Sequence, residues 1–255
     1  MQAEQFPHLL AELGWEHSVV DGLSEVRVEV VEEMTVPGTG LLRIGLLAIV
    51  VDLATGQPAT GSVTPTIDLS VHVVRHRPLG SVRAVSRVLK AGATLFVADC
   101  LLYGDDDPEP FGTGLATFMN RPVPGPRTPQ RRAGPLGRPL AERIGATQLA
   151  PGVVELTPAD ELANPHHGTV QGGVTALLGE LAAASLFGDA EPHVVTDLDI
   201  RYLGRVKAGP VRATARRVTG GRGGEAVTVE VVDVGTGRPV AHLSTACLPA
   251  ARAGG

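Results

Sequence analysis

Two segments of the chain are apolar on almost every side. Residues 44–54, "IGLLAIVVDLA", and residues 174–187, "VTALLGELAAASLF", are each interrupted by a single acid, Asp52 and Glu180. A helix that is apolar all round is normally buried, so both segments are predicted to be central core helices. Elsewhere the pattern changes to period two with β-branched enrichment: Val71, Val73, Val82, Ala84, Val97, Val227, Val229 and Val231. That alternation predicts half-buried strands. "GDDDPEPFG" at 104–112 and "DVGTGRP" at 233–239 have the turn chemistry of hairpin loops.

The pattern occurs twice. "LLAELGWEHSVVDGLSEVRVEVV" at 9–31 matches "PLAERIGATQLAPGVVELTP" at 139–158, each reading as a short helix, a glycine (Gly14 or Gly145) and a strand. "GLLAIVVDLATG" at 45–56 matches "GVTALLGELAAA" at 173–184, which sets Gly45 against Gly173 and Asp52 against Glu180. "IDLSVHVVRHRPLGSVRAVSRV" at 67–88 matches "TDLDIRYLGRVKAGPVRATARR" at 196–217, with Asp68 against Asp197 and Arg83 against Arg212. The offset is 128 or 129 in the last two blocks, 130 or 131 in the first, and the order of elements is kept, so the chain is read as a duplicated domain. Residues 1–120 and 139–255 are the two units, and the Pro-, Gly- and Arg-rich stretch 121–138 is an extended linker. The expected fold class is α+β: an antiparallel sheet wrapped around one central helix, twice.

Composition narrows the function. A 255-residue chain with 43% hydrophobic residues can bury a full core. The net charge of −5 and the lack of a dense basic block outside the linker argue against nucleic acid as a partner. The apolar stretches fall short of a bilayer span, and the N-terminus shows no basic region followed by an apolar one, so a cytoplasmic protein is expected. Cys100 and Cys247 stand alone in apparent strands and read as small buried hydrophobes. His72, His166 and His193 are isolated and do not suggest a metal site.

The two helix acids carry the chemistry. Asp52 follows Ala48 and Ile49, and Glu180 lies among Ala176, Leu177, Ala183 and Ala184. A charge in such surroundings costs several kcal/mol unless it is paired or its pKa rises. The alternative is a narrow solvent-facing stripe, for which these neighbours are poor surface residues. Gly172 and Gly173 open the second helix, and Glu180 comes two turns after Gly173 on nearly the same face. A glycine-opened helix start presents free N–H groups that can polarise a carbonyl, and a carboxylate nearby can activate water or attack. That is an outline of acyl transfer.

Asn164, Gly168, the run Gln171-Gly172-Gly173 and Glu180 resemble the motif of hotdog-fold acyl-CoA thioesterases of the phenylacetate-pathway type, here as a tandem double hotdog. In that family's pattern an Asn and a short polar loop precede His-Gly-Gly, and an acid follows seven residues after the second Gly. Gln171 replaces the His, and "PHH" sets Asn164 one residue too far from Gly168, so His167 is a second candidate for the polar position. The first half keeps Gly45 and Asp52 but has Arg43 and Ile44 in place of His and the first Gly.

The resemblance implies a site between the two halves. One site would combine Asn164, Gln171 and Gly172 with Asp52 and Thr66; the other would combine Gly45 with Glu180. In the first, Asp52 would be general base or nucleophile, the Gly172 N–H the oxyanion donor, and Asn164 would orient water. Thr66 would hold the water or the carboxylate, or else be an ordinary strand residue. Gly45, Gln171, Gly173 and His167 would contact substrate, and Glu180 would be either the acid of a weaker second site or a relic. Arg75, His76, Arg77, Arg201, Arg205 and Lys207 are candidates for the CoA phosphates. The implied activity is hydrolysis of a small or medium acyl-CoA thioester without cofactor or metal, by a homodimer of double-hotdog chains. The alternative is an acyl-CoA-binding protein that does not turn its ligand over.

Overall fold

The computed structural model describes residues 8–56, 65–120, 136–164, 168–188, 192–221 and 224–250. The first half contains α1 (Leu9–Leu13), β1 (Glu16–Val20), β2 (Leu23–Glu29), α2 (Ile44–Gly56), β3 (Thr66–Val73), β4 (Ser81–Ala91), β5 (Leu95–Gly104) and β6 (Gly112–Met119). The second contains α3 (Leu140–Arg143), β7 (Thr147–Ala150), β8 (Val153–Leu156), the short strands β9 (Ala163–Asn164) and β10 (Thr169–Val170), then α4 (Gly172–Ser185). It ends with β11 (His193–Tyr202), β12 (Val211–Gly221), β13 (Gly224–Asp233) and β14 (Arg238–Pro249).

Twelve strands form one sheet in the order β1-β2-β4-β5-β6-β3-β11-β14-β13-β12-β8-β7. Read from either end, the order is the same once each strand is exchanged for its repeat partner. The halves join edge to edge, β3 running antiparallel to β11 with Leu69 opposite Ile200 and Asp68 opposite Arg201. Helix α2 lies against β2 to β6, helix α4 against β8 and β11 to β14, and the helices touch each other. The fold is the α+β double hotdog, with each apolar helix buried by the concave face of its own half-sheet.

Period-two alternation selects that face. Leu69 and Val71, Phe96, Ala98, Cys100 and Leu102, and Val227, Val229 and Val231 are buried against the helices. Val97 is half-buried on the opposite face from Phe96 and Ala98. Both cysteines are buried and free, and burial pushes each thiol up to about 12. Each half begins with a hairpin where the hydrophobic pattern suggested one strand. Asp21 and Gly22 (φ +52° and +79°) turn β1 into β2, and Gly152 (φ +78°) turns β7 into β8. Leu136, assigned to the linker from sequence, is buried in the core; the linker's residues 121–135 lie outside the described residues.

Two glycines bring the helices together. A Cβ on Gly45 would stand 2.5 Å from the Leu177 Cα, and one on Gly173 would stand 2.2 Å from the Ile49 Cγ1 and 3.2 Å from its Cα. These contacts are repeat images of one another, so a pseudo-twofold axis passes between the helices. The ends of the halves are also tied across it. Arg143 pairs with Glu12 in a buried salt bridge, and His8 Nε2 donates to the Ala163 carbonyl (2.9 Å) while His8 Nδ1 accepts the Leu10 N–H that starts α1.

Because the atom opposing Gly45 is backbone, Gly45→Ala cannot be relieved by a rotamer change. It is expected to lower unfolding stability by about 1–3 kcal/mol in a urea titration. Gly137→Ala, whose Cβ would meet open space, is expected to leave the midpoint unchanged.

Candidate active site

The pseudo-twofold axis creates two matching places where the acid of one helix meets the N-terminus of the other, and they are filled differently. In the first, Glu180 is buried at 1% exposure. Its Oε2 accepts the Gly45 N–H of α2 (2.8 Å) and its Oε1 accepts from Arg43 Nη1 (3.4 Å). Arg43 is buried as well. Burial pushes the Glu180 carboxyl above its ordinary value, while the Arg43 guanidinium and the Gly45 and Ile44 N–H groups pull it back. The acid therefore caps the partner helix and neutralises a buried arginine, which accounts for a charge on so apolar a helix.

In the second place, Asp52 is half-buried and accepts a hydrogen bond from Thr66 Oγ1 at 2.6 Å. Desolvation raises its carboxyl to about 6 despite the Thr66 bond, which acts in the opposite direction. Thr66 reaches α2 because of a bulge. The β3–β6 register shifts between Thr66 and Asp68, so Thr66 points to the helix side instead of sharing the outer face with Asp68 and Ser70. Facing Asp52 is the start of α4: Ile49, three residues before Asp52, packs on Gly173. The Tyr202 hydroxyl lies against Gly172, where a Cβ would stand only 2.9 Å from it. Gln171, the N-cap of α4, is buried, and its Oε1 has no hydrogen-bond partner among the described residues.

The repeat shows what each place has lost or kept. Arg43 and Ile44 stand where the Asp52 site has Gln171 and Gly172. A matching bulge lies between Val195 and Asp197, so buried Val195 occupies the position of Thr66. Val73 occupies the position of Tyr202. Four positions that are polar or open around Asp52 are thus apolar or occupied by an arginine around Glu180.

Asn164 and Thr169 pair in the β9–β10 hairpin, closed by the Gly168 N–H to the Asn164 carbonyl (3.0 Å), directly before α4. His167 lies outside the described residues. Beside this hairpin runs the loop after β11, whose Val206 N–H donates to Thr169 Oγ1 (2.9 Å). Asp233 fixes that loop by accepting the N–H groups of Lys207, Ala208 and Gly209, as Asp105 accepts those of Gly80 and Ser81 in the other half. Arg205 and Lys207 are exposed on it. Arg75 and Arg77, by contrast, are paired with Asp105, Asp107 and Glu109 in the loop after β5. Among the described residues no group of three or more His, Cys, Asp or Glu side chains could hold a metal ion.

Tyr202 was not among the residues singled out in the sequence. Its signal was its rarity, one of two tyrosines in the chain, at the end of a strand whose repeat partner has Val73.

The geometry defines a tandem hotdog protein with an acid poised at a helix start. Solved structures share the fold. The chain superposes on a tesB protein of Mycobacterium avium subsp. paratuberculosis with a TM-score of 0.66 at 14% identity, over 93% of this chain and 96% of that one. A conserved hot dog fold protein of Alicyclobacillus acidocaldarius gives 0.62 at 13% identity, over 95% and 98%. An acyl-CoA thioesterase II, TesB2, of Mycobacterium marinum gives 0.56 at 14% identity, over 93% and 96%. No family model matches the chain, and no curated protein matches it in sequence.

The paired reading of Glu180 has a measurable cost. Arg43→Met leaves a buried carboxylate without its counter-charge and is expected to lower stability by about 3–5 kcal/mol. Adding Glu180→Leu is expected to recover most of that in the same urea titration.

Proposed function

We propose that the chain is an acyl-CoA thioesterase acting on small or medium acyl groups, with its working site at Asp52. The observation that carries this reading is the contrast between the two matching places: Asp52 keeps a hydroxyl partner and faces a glycine-opened helix start, whereas Glu180 is sealed in an ion pair. The thioester carbonyl would lie at the start of α4, where the Gly172 N–H and the positive end of the helix favour charge on its oxygen. Thr66 donates to Asp52 Oδ1, leaving Oδ2 to accept a proton from water. The water oxygen bonds to the carbonyl carbon, the C–S bond breaks, and the proton on Asp52 passes to the departing thiolate. Direct attack by Asp52 through a mixed anhydride is the other route open to the same geometry. Gln171, with its unpartnered Oε1, and Asn164 on the adjoining hairpin would orient the water.

Gly173 and Gly45 serve the helix contact in this reading, and Glu180 is structural. The exposed Arg205 and Lys207 beside the β9–β10 hairpin are better placed for CoA phosphates than the paired Arg75 and Arg77. Acyl-CoA as the thioester agrees with the name of the M. marinum protein, an acyl-CoA thioesterase. The cytoplasm, where acyl-CoA esters are formed, is the proposed setting. A homodimer is the proposed assembly, since the edge strands β1 and β7 are exposed; a dimeric mass in solution scattering supports it and a monomeric mass removes it.

Thiol release from short-chain, medium-chain and aryl acyl-CoA esters tests the activity. Asp52→Asn is expected to lower kcat by about 10³-fold, and Thr66→Ala by about tenfold, the value of one lost hydrogen bond. Glu180→Gln is expected to keep kcat in the protein that remains folded. Because Asp52 must be ionised to accept the proton and its carboxyl is raised to about 6, kcat/KM is expected to fall as pH drops through about 6. Loss of turnover in Glu180→Gln alone would move the site to the other half. Binding without thiol release would make the chain an acyl-CoA-binding protein.

A further inference from the structure

We propose that Tyr202 is a catalytic residue that donates its hydroxyl hydrogen to the carbonyl oxygen of the substrate, completing with α4 the site that holds the developing negative charge. This rests on the thioesterase reading of the Asp52 site and adds a residue to it.

Three observations place the hydroxyl there. The first is position: Tyr202 Oη lies 2.9 Å from where a Cβ on Gly172 would stand, so the phenol occupies the space beside the first residue of α4, the end of the helix that carries the free N–H groups. The second is the sheet junction. Tyr202 follows Arg201, which pairs with Asp68, and the bulge turns Thr66 inward just beyond it, so Tyr202 and Thr66 approach Asp52 from neighbouring strands. The third is lack of other work. The hydroxyl has no hydrogen-bond partner among the described residues, and the corresponding position in the closed site is Val73. The residue is half-buried, and its hydroxyl hydrogen is free for an acceptor that enters the site.

The electrostatics suit a donor. Burial first, and the charge of Asp52 second, push the phenol well above its ordinary value. The hydroxyl therefore still holds its hydrogen at the pH where Asp52 becomes ionised, and loses it only on an alkaline limb. During attack, the electron pair of the carbonyl π bond moves to oxygen as the water oxygen bonds to carbon. The Tyr202 O–H and the helix N–H share that charge without transferring a proton. When the C–S bond breaks the charge returns to the carbonyl, and the thiolate takes the proton held by Asp52. The same contact explains Gly172: any larger residue would displace the phenol.

The test is Tyr202→Phe assayed for thiol release across pH, beside the wild type. Loss of one such donor is expected to lower kcat by about 10²-fold or more with little change in KM. The acid limb set by Asp52 is expected to stay where it is in the wild type. Only Tyr103 and Tyr202 are tyrosines, so fluorotyrosine incorporated into a Tyr103→Phe background labels position 202 alone. Fluorination makes the phenol more acidic, and the alkaline limb of kcat is expected to move to lower pH. This second protein decides the matter if Tyr202→Phe does not fold. An active wild type with unchanged kcat in Tyr202→Phe, or an alkaline limb unmoved by fluorotyrosine, overturns the proposal and leaves the Asp52 reading standing. A wild type that releases no thiol from any ester overturns both.

Discussion

Everything at the centre of the molecule depends on how closely two apolar helices approach each other. Gly45 admits Leu177 and Gly173 admits Ile49, backbone against side chain, on either side of one pseudo-twofold axis. That contact sets the acid of each helix against the first turn of the other, because Asp52 and Glu180 lie one turn beyond Ile49 and Leu177. A carboxylate at a helix N-terminus is favourable in itself, and Glu180 realises this by bonding the Gly45 N–H. The geometry from which a catalytic site can be built is thus the same geometry that caps a helix. Which of the two it becomes is decided by the surrounding side chains.

Duplication within one chain allows those surroundings to diverge. In an assembly of two identical subunits, a change that closes one site closes both. Here Arg43 could fill one helix start while Gln171 and Gly172 keep the other clear, and Val195 and Val73 could replace the polar partners on one side only. The closed place supplies a buried, paired contact at the axis. The other keeps the half-buried carboxylate and the unpartnered amide, groups whose desolvation is poorly compensated without a ligand or water.

Much of the fold was legible because the chain repeats. The offset linking Gly45 to Gly173 and Asp52 to Glu180 also relates the two helix contacts, Gly45 on Leu177 and Gly173 on Ile49, and apolar saturation of both helices correctly indicated burial. The hairpins at Asp21-Gly22 and Gly152 were read as single strands because the apolar pattern runs through them, although the Asp-Gly and Pro-Gly pairs are turn signals. The Thr66–Asp52 pairing was one of two roles the family resemblance left open for Thr66, while its cause, a bulge that reverses the facing of one residue, leaves no trace in period-two alternation. Arg43 was noticed as a departure from the motif, but its pairing with Glu180 spans the two halves and cannot be read from either one. Tyr202 escaped for the same reason: it comes from the second repeat and faces the acid of the first.

In the proposed function, one of two matching places takes substrate and the other is sealed by its own arginine. Calorimetric titration with a non-hydrolysable thioether analogue of an acyl-CoA measures this directly as ligands bound per chain. One ligand per chain, weakened by a bulky substitution at Gly172, is the result this account predicts. Two ligands per chain, or one that is insensitive to Gly172 and displaced by changes at Arg43, would contradict it.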